Sequence, residues 1–324
     1  MHASSRGHTA VVCELLRLGA DTSLVSCAGY SAAEDAAASG DIRSLKTLLA
    51  GSGSSVTGKC LLLSSANGHV EIVEFLLQHK TLDPSSTDEK SWTPLHRACR
   101  NGHVEVVKVL LSRGANIDTR DNIGRTPLNR AVRIGSFGIA QRLLEAGASP
   151  VSCDSSEMSL THFVAAGGFN EVLDLLLAAG NIDDGVDLNE LDWEFETPLI
   201  KAIRAGNPDI VARLLNAGAD IAINCLDDTS YQYFLWTPRN GTNIETARFL
   251  IENGTRIHPD DHQQRNILHW VARMGTADIL SILLECGVDV RADGRTALHL
   301  AIMEGAVECV RLLLRAGANP NAID

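Results

Sequence analysis

Three residues of metal-ligand type, His96, Cys99 and His103, stand within eight positions of one another in the stretch WTPLHRACRNGHVEVVKVLLSRGANID, Trp92–Asp118. Imidazole and thiolate are common zinc ligands, and gaps of three and four residues bring such groups together on one face of a helix. A second cluster, HPDDHQQ (His258–Gln264), sets two histidines beside two aspartates, the residue types of a metal or acid–base site. The segment DDGVDLNELDWEFE, Asp183–Glu196, carries seven acids with Trp193 and Phe195. YQYFLW gathers Tyr231, Tyr233, Phe234 and Trp236, four of only fourteen aromatics in 324 residues. Whether any of these does chemistry depends on the elements that position it.

Bulk properties narrow the classes. The formal net charge is −12, whereas a general nucleic-acid binder needs a basic face to displace phosphate counterions. No apolar run approaches the ~20 residues that span a bilayer. The first residues, MHASSRGHTA, contain no apolar core of a secretory signal. Eight cysteines occur singly, without a CxxC pair, which points to a reducing compartment, cytoplasm or nucleus. Phosphate-cradling P-loop, GxSxG and HExxH motifs are all missing.

The chain repeats itself. Gly102 has counterparts at Gly7, Gly40, Gly68, Gly135, Gly168, Gly206, Gly275 and Gly305, with Thr242 in the one remaining slot. Eight and nine residues after every anchor stands an aliphatic pair, from Leu15-Leu16 through Leu110-Leu111 to Leu313-Leu314. Such fixed-period self-similarity marks a tandem array. Within one unit, Thr93 is placed to cap a first helix, Pro94 to fill its first position and Gly102 to end it in a left-handed turn. The His103 column holds Asp41, Ser136, Asn207 and Thr276 elsewhere, which reads as the N-cap of a second helix. Val106, Val107, Leu110 and Leu111 then recur at helical spacing, each worth ~1.5–3 kcal/mol when fully buried. One pair of short helices cannot bury both its faces, so successive units must stack into an all-α solenoid of helix-turn-helix units.

The pattern TPLH-x-A…G-H-x-x-VV-x-LLL-x-x-GA resembles the ankyrin repeat. It stands in WTPLHRACRNGHVEVVKVLLSRGANID, GRTPLNRAVRIGSFGIAQRLLEAGA, ETPLIKAIRAGNPDIVARLLNAGAD and GRTALHLAIMEGAVECVRLLLRAGANPN. The resemblance covers 1–324 as a single array of about ten units, approximately 1–25, 26–54, 55–87, 88–121, 122–154, 155–192, 193–225, 226–261, 262–291 and 292–324. Two units depart from it: KCLLLSSANGHVEIVEFLL lacks Thr-Pro, and YFLWTPRNGTNIETARFLI has a degenerate first helix. It implies an ankyrin-repeat solenoid with hairpin-like connectors, binding partners through loop tips and a concave groove lined by first helices. It also implies that the motif histidine, here His96, bonds backbone and the threonine hydroxyl near the turn.

The register then judges the opening clusters. The Cys99 column holds Ala37, Ser65, Val132, Ala165, Ile203, Ala272 and Ile302, a small or apolar core slot. His103 falls in the cap column, and Gly102 interrupts the helix between it and Cys99. No metal site and no cofactor is therefore expected. HPDDHQQ falls where a solvated connector belongs. No catalytic residue is assigned, and the chain is read as a non-enzyme.

What the scaffold leaves free is surface. From Arg97 to Arg142 there are nine Lys/Arg and three acids, whereas Leu143–Ile200 holds twelve acids and neither Lys nor Arg. Arg97 and Arg100 align with Arg130 and Arg133, and Lys201 with Arg204 repeats the pair. At the ~8–10 Å spacing of stacked helices these form a basic ladder along the groove, unless they are solvated filler. Trp193 and Phe195 either make a binding finger or tuck onto the solenoid. Tyr231, Tyr233 and Trp236, in a first helix disrupted by Pro238, either anchor a partner or fill space. The chain starts inside a first helix and stops in a connector, so both ends are expected to be truncated and uncapped.

The expected function is a protein–protein interaction module, scaffold or adaptor in cytoplasm or nucleus, whose protein partner presents an acidic or phosphorylated segment. General nucleic-acid binding and a membrane span are not expected. Two alternatives remain: a regulatory arm of an enzyme whose catalytic domain lies outside this chain, and small-ligand binding at the irregular unit 226–241.

Overall fold

A computed structural model describes residues 1–27, 29–50, 57–78, 82–179, 186–220, 248, 267–285, 287, 290 and 296–321. Apart from isolated bridge residues, Val25 with Ser31 and also Cys153 and Ser159, the described residues form helices, turns and irregular connections. The first helices of the units are α1 (His2–Ser5), α3 (Ala32–Ser39), α5 (Gly58–Asn67), α7 (Pro94–Asn101), α9 (Pro127–Arg133), α11 (Leu160–Gly167), α13 (Pro198–Ala205), α15 (Ile267–Met274) and α17 (Ala297–Met303). The second helices are α2 (Thr9–Arg17), α4 (Ile42–Ala50), α6 (Val70–Leu76), α8 (Val104–Ser112), α10 (Phe137–Glu145), α12 (Asn170–Ala179), α14 (Pro208–Asn216), α16 (Ala277–Glu285) and α18 (Val307–Arg315).

Local chemistry sets the helix ends. Thr93, Thr126 and Thr197 each accept the backbone N–H three residues on, and a proline follows each of them. Gly102 closes α7 at φ 80, in the left-handed region. The second helices α6, α8, α10 and α14 begin at the cap column, but the side chains there make no capping bond. His103 stands at the N-cap of α8, but its side chain caps nothing. Its Nε2 lies 2.9 Å from the Ala66 carbonyl, and its ring covers Gly68, where an added Cβ would sit 2.6 Å from Nδ1. His69 treats the Ala38 carbonyl and Gly40 in the same way, and Asn207 donates to the Ala165 carbonyl at 2.8 Å. These carbonyls belong to the last turn of the preceding first helix, where they have no intrahelical partner. The column therefore couples one repeat to the one before. Asp41 is short enough to cap its own helix, accepting from Ser44 at 3.1 Å.

The chain divides into two compact units, Met1–Ser156 with Asp174–Gly185, and Glu157–Leu173 with Val186–Asp324. In the former, α1, α3, α5, α7 and α9 pack in series, α2 lies on α4, and α6, α8 and α10 form a second row. In the latter, α11 packs on α13, α15 on α17 and α16 on α18. The leading leucine of the repeated pair is buried at Leu48, Leu76, Leu110, Leu143, Leu176, Leu214, Leu283 and Leu313. Leu15, at the same place in α2, is 45% exposed. Cys99 is fully buried, and burial pushes its thiol well above the ordinary range, which makes it a core residue. The segment 226–241 with Tyr231, Tyr233 and Trp236, the cluster His258–His262, and Asp183 with Asp184 lie outside the described residues.

Candidate functional site

Among the described residues, α7, α9 and α13 are each preceded by a short hairpin that opens on an aspartate doing two jobs. Asp88 Oδ1 accepts the N–H groups of Lys90 and Trp92 at 2.8 and 2.9 Å. Asp121 Oδ1 holds those of Ile123 and Arg125, and Asp192 Oδ1 those of Glu194 and Glu196, at 2.9–3.0 Å. The other oxygen, Oδ2, ion-pairs the basic residue nine positions later: Arg97, Arg130 and Lys201. Burial alone would raise these carboxyls; the backbone N–H groups and the cations outweigh it and hold all three below the usual range. At Asp154 the residue nine positions on is Phe163, and Oδ2 instead accepts Nε and Nη2 of Arg125, at 2.9 and 2.8 Å.

The first column of the basic ladder is thus tied to its own hairpins, and the second column, Arg100, Arg133 and Arg204, is exposed. Arg204 pairs with Glu196. Arg100 has no carboxylate partner among the described residues and lies over Trp92, 5.0 Å from its ring. The Arg97 and Arg130 guanidiniums stand 4.7 and 4.1 Å from the same ring, so one buried indole carries three cations. Arg130 is itself buried, and its Nε has no hydrogen-bond partner. Burial lowers its pKa, Asp121 opposes that, and Arg125 and Arg100 push it down further. Arg133 is lowered by burial, then by Arg125 and Arg130, against Asp154. Four guanidiniums therefore repel one another across the faces of α7 and α9, with Asp121 and Asp154 as counter-charges.

The 192–196 hairpin differs in kind. Lys201 Nζ lies 2.8, 2.6 and 2.7 Å from carboxylate oxygens of Asp192, Glu194 and Glu196. Those three groups offer oxygens within 4.8 Å of one another, a spacing that suits a cation, and the lysine ammonium takes that place. Burial would depress the Lys201 pKa, but the three carboxylates hold it above its ordinary value. Beyond this clasp, Trp193 is 63% exposed and Phe195 74%. Phe195 adopts φ 58 in the slot that Gly124 fills at φ 77. A left-handed backbone costs an L-residue ~1–2 kcal/mol, here at a ring that lies largely in water. Just upstream, burial raises the Glu190 carboxyl, with Asp187 and Glu157 adding to it against a hydrogen bond with Ser159.

Reasoning on the repeat pattern singled out Arg97, Arg100, Arg130, Arg133, Lys201, Arg204, Trp193 and Phe195, but missed their partners Asp88, Asp121, Asp192, Arg125 and Trp92. A signal for the aspartates was present: an acid stands nine residues before a base in three units. His96, by contrast, has the arrangement that the family resemblance implied. Its Nδ1 accepts from the Thr93 N–H at 3.2 Å, the Thr93 hydroxyl lies 2.8 Å away, and Nε2 meets the Arg125 carbonyl at 2.9 Å.

A family model described as ankyrin repeats (3 copies) matches residues 61–154, 128–225 and 236–324. The chain belongs to the ankyrin-repeat family. This ankyrin-repeat chain is 37% identical over 134 residues to the ankyrin repeat domain-containing protein SAT10 of Stachybotrys chartarum, covering 40% of the chain and 7% of that protein. It is 30% identical over 168 residues to the ankyrin repeat protein nuc-2 of Neurospora crassa, with 50% and 15% covered. The similarity to the E3 ubiquitin-protein ligase KEG of Arabidopsis thaliana is 29% over 322 residues, covering 87% of the chain and 17% of the ligase. The chain spans no more than 17% of the length of these three relatives. Ankyrin repeats are a protein-interaction fold without catalytic chemistry of their own. No helix among the described residues is long and apolar enough to cross a membrane.

Proposed function

We propose that this ankyrin-repeat chain is a scaffold or adaptor in the cytoplasm or nucleus that captures a protein partner through an acidic or phosphorylated segment laid along α7 and α9. The observation that carries this reading is the crowd of Arg100, Arg125, Arg130 and Arg133, which outnumbers its aspartates and includes a buried Arg130 Nε with an unused donor. Guanidinium planes suit carboxylate and phosphoryl oxygens, and a rigid helical floor holds them in place before binding. Arg97 and Arg130 brace the surface through Asp88 and Asp121, while Arg100 and Arg133 make the contact. Lys201 and Arg204, engaged by acids, serve the neighbouring hairpin.

A labelled decapeptide with two phosphoserines, compared with its unphosphorylated form by fluorescence anisotropy, tests this. We expect at least tenfold tighter capture of the phosphorylated peptide, weakening steeply with salt and lost in the Arg100→Glu/Arg133→Glu protein. Unchanged capture by that variant would sink the reading. A second reading, in which the chain is the non-catalytic interaction arm of an enzyme, is favoured by the ligase among its relatives. It predicts a catalytic domain in the longer reading frame.

A further inference from the structure

The hairpin at 192–196 carries aromatic surface that the repeat does not require. The equivalents of Trp193 and Phe195 are Glu89 and Ser91 in one hairpin and Asn122 and Gly124 in another. Those hairpins close with the same aspartate staple, so neither ring is needed to form the turn. Trp92 shows what a structural tryptophan looks like here: it is buried beneath three guanidiniums. Trp193 and Phe195 instead face water, and Phe195 does so from a backbone conformation that favours glycine.

The tip is also held still. Asp192 N–H donates to the Glu196 carbonyl at 3.1 Å and Phe195 N–H to the Asp192 carbonyl at 2.8 Å, while Lys201 ties the three acids to α13. Rings fixed before binding lose little freedom on contact, and tryptophan leads among residues that dominate interfaces. The charge around them is mainly negative. Asp192, Glu194 and Glu196 outnumber Lys201 and Arg204, and just upstream Glu157 and Asp187 add to burial in raising the Glu190 carboxyl. Between Leu143 and Ile200 the sequence supplies no Lys or Arg to balance them.

We propose that the 192–196 hairpin is a second docking point, in which Trp193 and Phe195 receive the arginine or lysine side chains of a basic, partly apolar partner segment. The cation lies against the indole or phenyl face, the apolar stem covers the ring, and the surrounding carboxylates draw the segment in. The site is opposite in sign to the α7–α9 surface and stands on different residues, so it holds or fails independently of that reading.

The probe is a capped ten-residue peptide of alternating arginine and leucine, set against its glutamate-for-arginine counterpart. Titration calorimetry and the indole N–H resonance of Trp193, assigned by its loss in Trp193→Phe, give the two readouts. The arginine peptide is expected to bind at least tenfold more tightly than the glutamate peptide and to shift the Trp193 resonance. Phe195→Gly and Trp193→Ala each keep the net charge and should each weaken binding about tenfold. Phe195→Gly, which relieves a left-handed phenylalanine, should melt no lower than the parent. The Arg100→Glu/Arg133→Glu protein should bind the arginine peptide as the parent does. Equal affinity for the two peptides, or full binding by Phe195→Gly and Trp193→Ala, would overturn the proposal.

Discussion

Replacing Lys201 with methionine keeps the length of the side chain and removes the ammonium from among Asp192, Glu194 and Glu196. Glu194 is half-exposed and recovers its hydration, so its pair with Lys201 contributes only ~0–1 kcal/mol. The Asp192 side chain is fully buried and that of Glu196 nearly so, and neither can rehydrate without opening the hairpin. Removing one partner of a buried ion pair costs ~3–5 kcal/mol; Arg204 still serves Glu196, which places the expected loss near ~3 kcal/mol. With a urea m-value of ~1–3 kcal/mol/M, the midpoint should drop by ~1 M or more, read by circular dichroism. The loss must also depend on pH in one direction. In the parent, the Asp192 carboxyl is held below its ordinary value, burial being outweighed by Lys201 and two N–H groups. It therefore contributes stability that is complete above the unfolded pKa of ~3.9 and lost as pH falls through the lower folded value. Without the ammonium, the Asp192 carboxyl loses its foremost lowering partner and its folded pKa rises above the parent's, so protonation relieves the variant at a higher pH than the parent. The difference between variant and parent should narrow as pH falls toward ~4, and other titrating groups cancel in that difference. A loss below ~1 kcal/mol, or one that stays constant or widens on acidification, would refute the neutralising role of Lys201.

Two further outcomes test the scaffold. Leu110→Ala empties a fully buried position of the second-helix row and should cost ~2–5 kcal/mol in urea unfolding; a negligible change would undermine the repeat register. His96 and His162 are held below their ordinary pKa by burial, against the carbonyls that bond Nε2, so they fold as neutral rings. Their contribution is complete above the unfolded value of ~6.5 and is lost as pH falls below it, toward the lower folded values. His96→Asn should cost ~1–3 kcal/mol at pH 7.5 by losing the bond to Arg125, and should flatten the fall in urea midpoint between pH 7.5 and 5.5. The same fall in parent and variant would count against a buried neutral His96. Asn129 already stands at this place in α9, where it keeps the threonine contact but leaves Nδ2 without a partner.

Much of the fold was legible because its signals are local and recur. Thr93, Pro94 and Gly102 mark the ends of α7 by their own backbone preferences, and Leu110 falls on the buried face of α8 by spacing alone. The column of Cys99 showed a core slot, since its other occupants are small or apolar, and the structure buries that thiol. The column of His103 is the N-cap position, as its occupants indicated, but its side chain does another job. A cap position is a backbone property, whereas the partner of its side chain is set by the neighbouring repeat, and the His103 imidazole reaches across to Ala66.

The surface was less legible. Arg97, Arg100, Arg130 and Arg133 read as one ladder because they are alike in type and register. Whether each is available depends on where a hairpin sets its aspartate, and that is decided when the connector folds back over the first helix. By itself the sequence determined the period, the helix pairs, the core columns and the segregation of charge, because each follows from residue type and spacing. Tertiary structure decided that Arg97, Arg130 and Lys201 brace hairpins, that Arg100 stands with Arg97 and Arg130 over a buried Trp92, and that Trp193 and Phe195 face water. Those outcomes turn on which groups meet across nine or thirty residues of chain, and Coulomb attraction and burial act on distances that only folding sets.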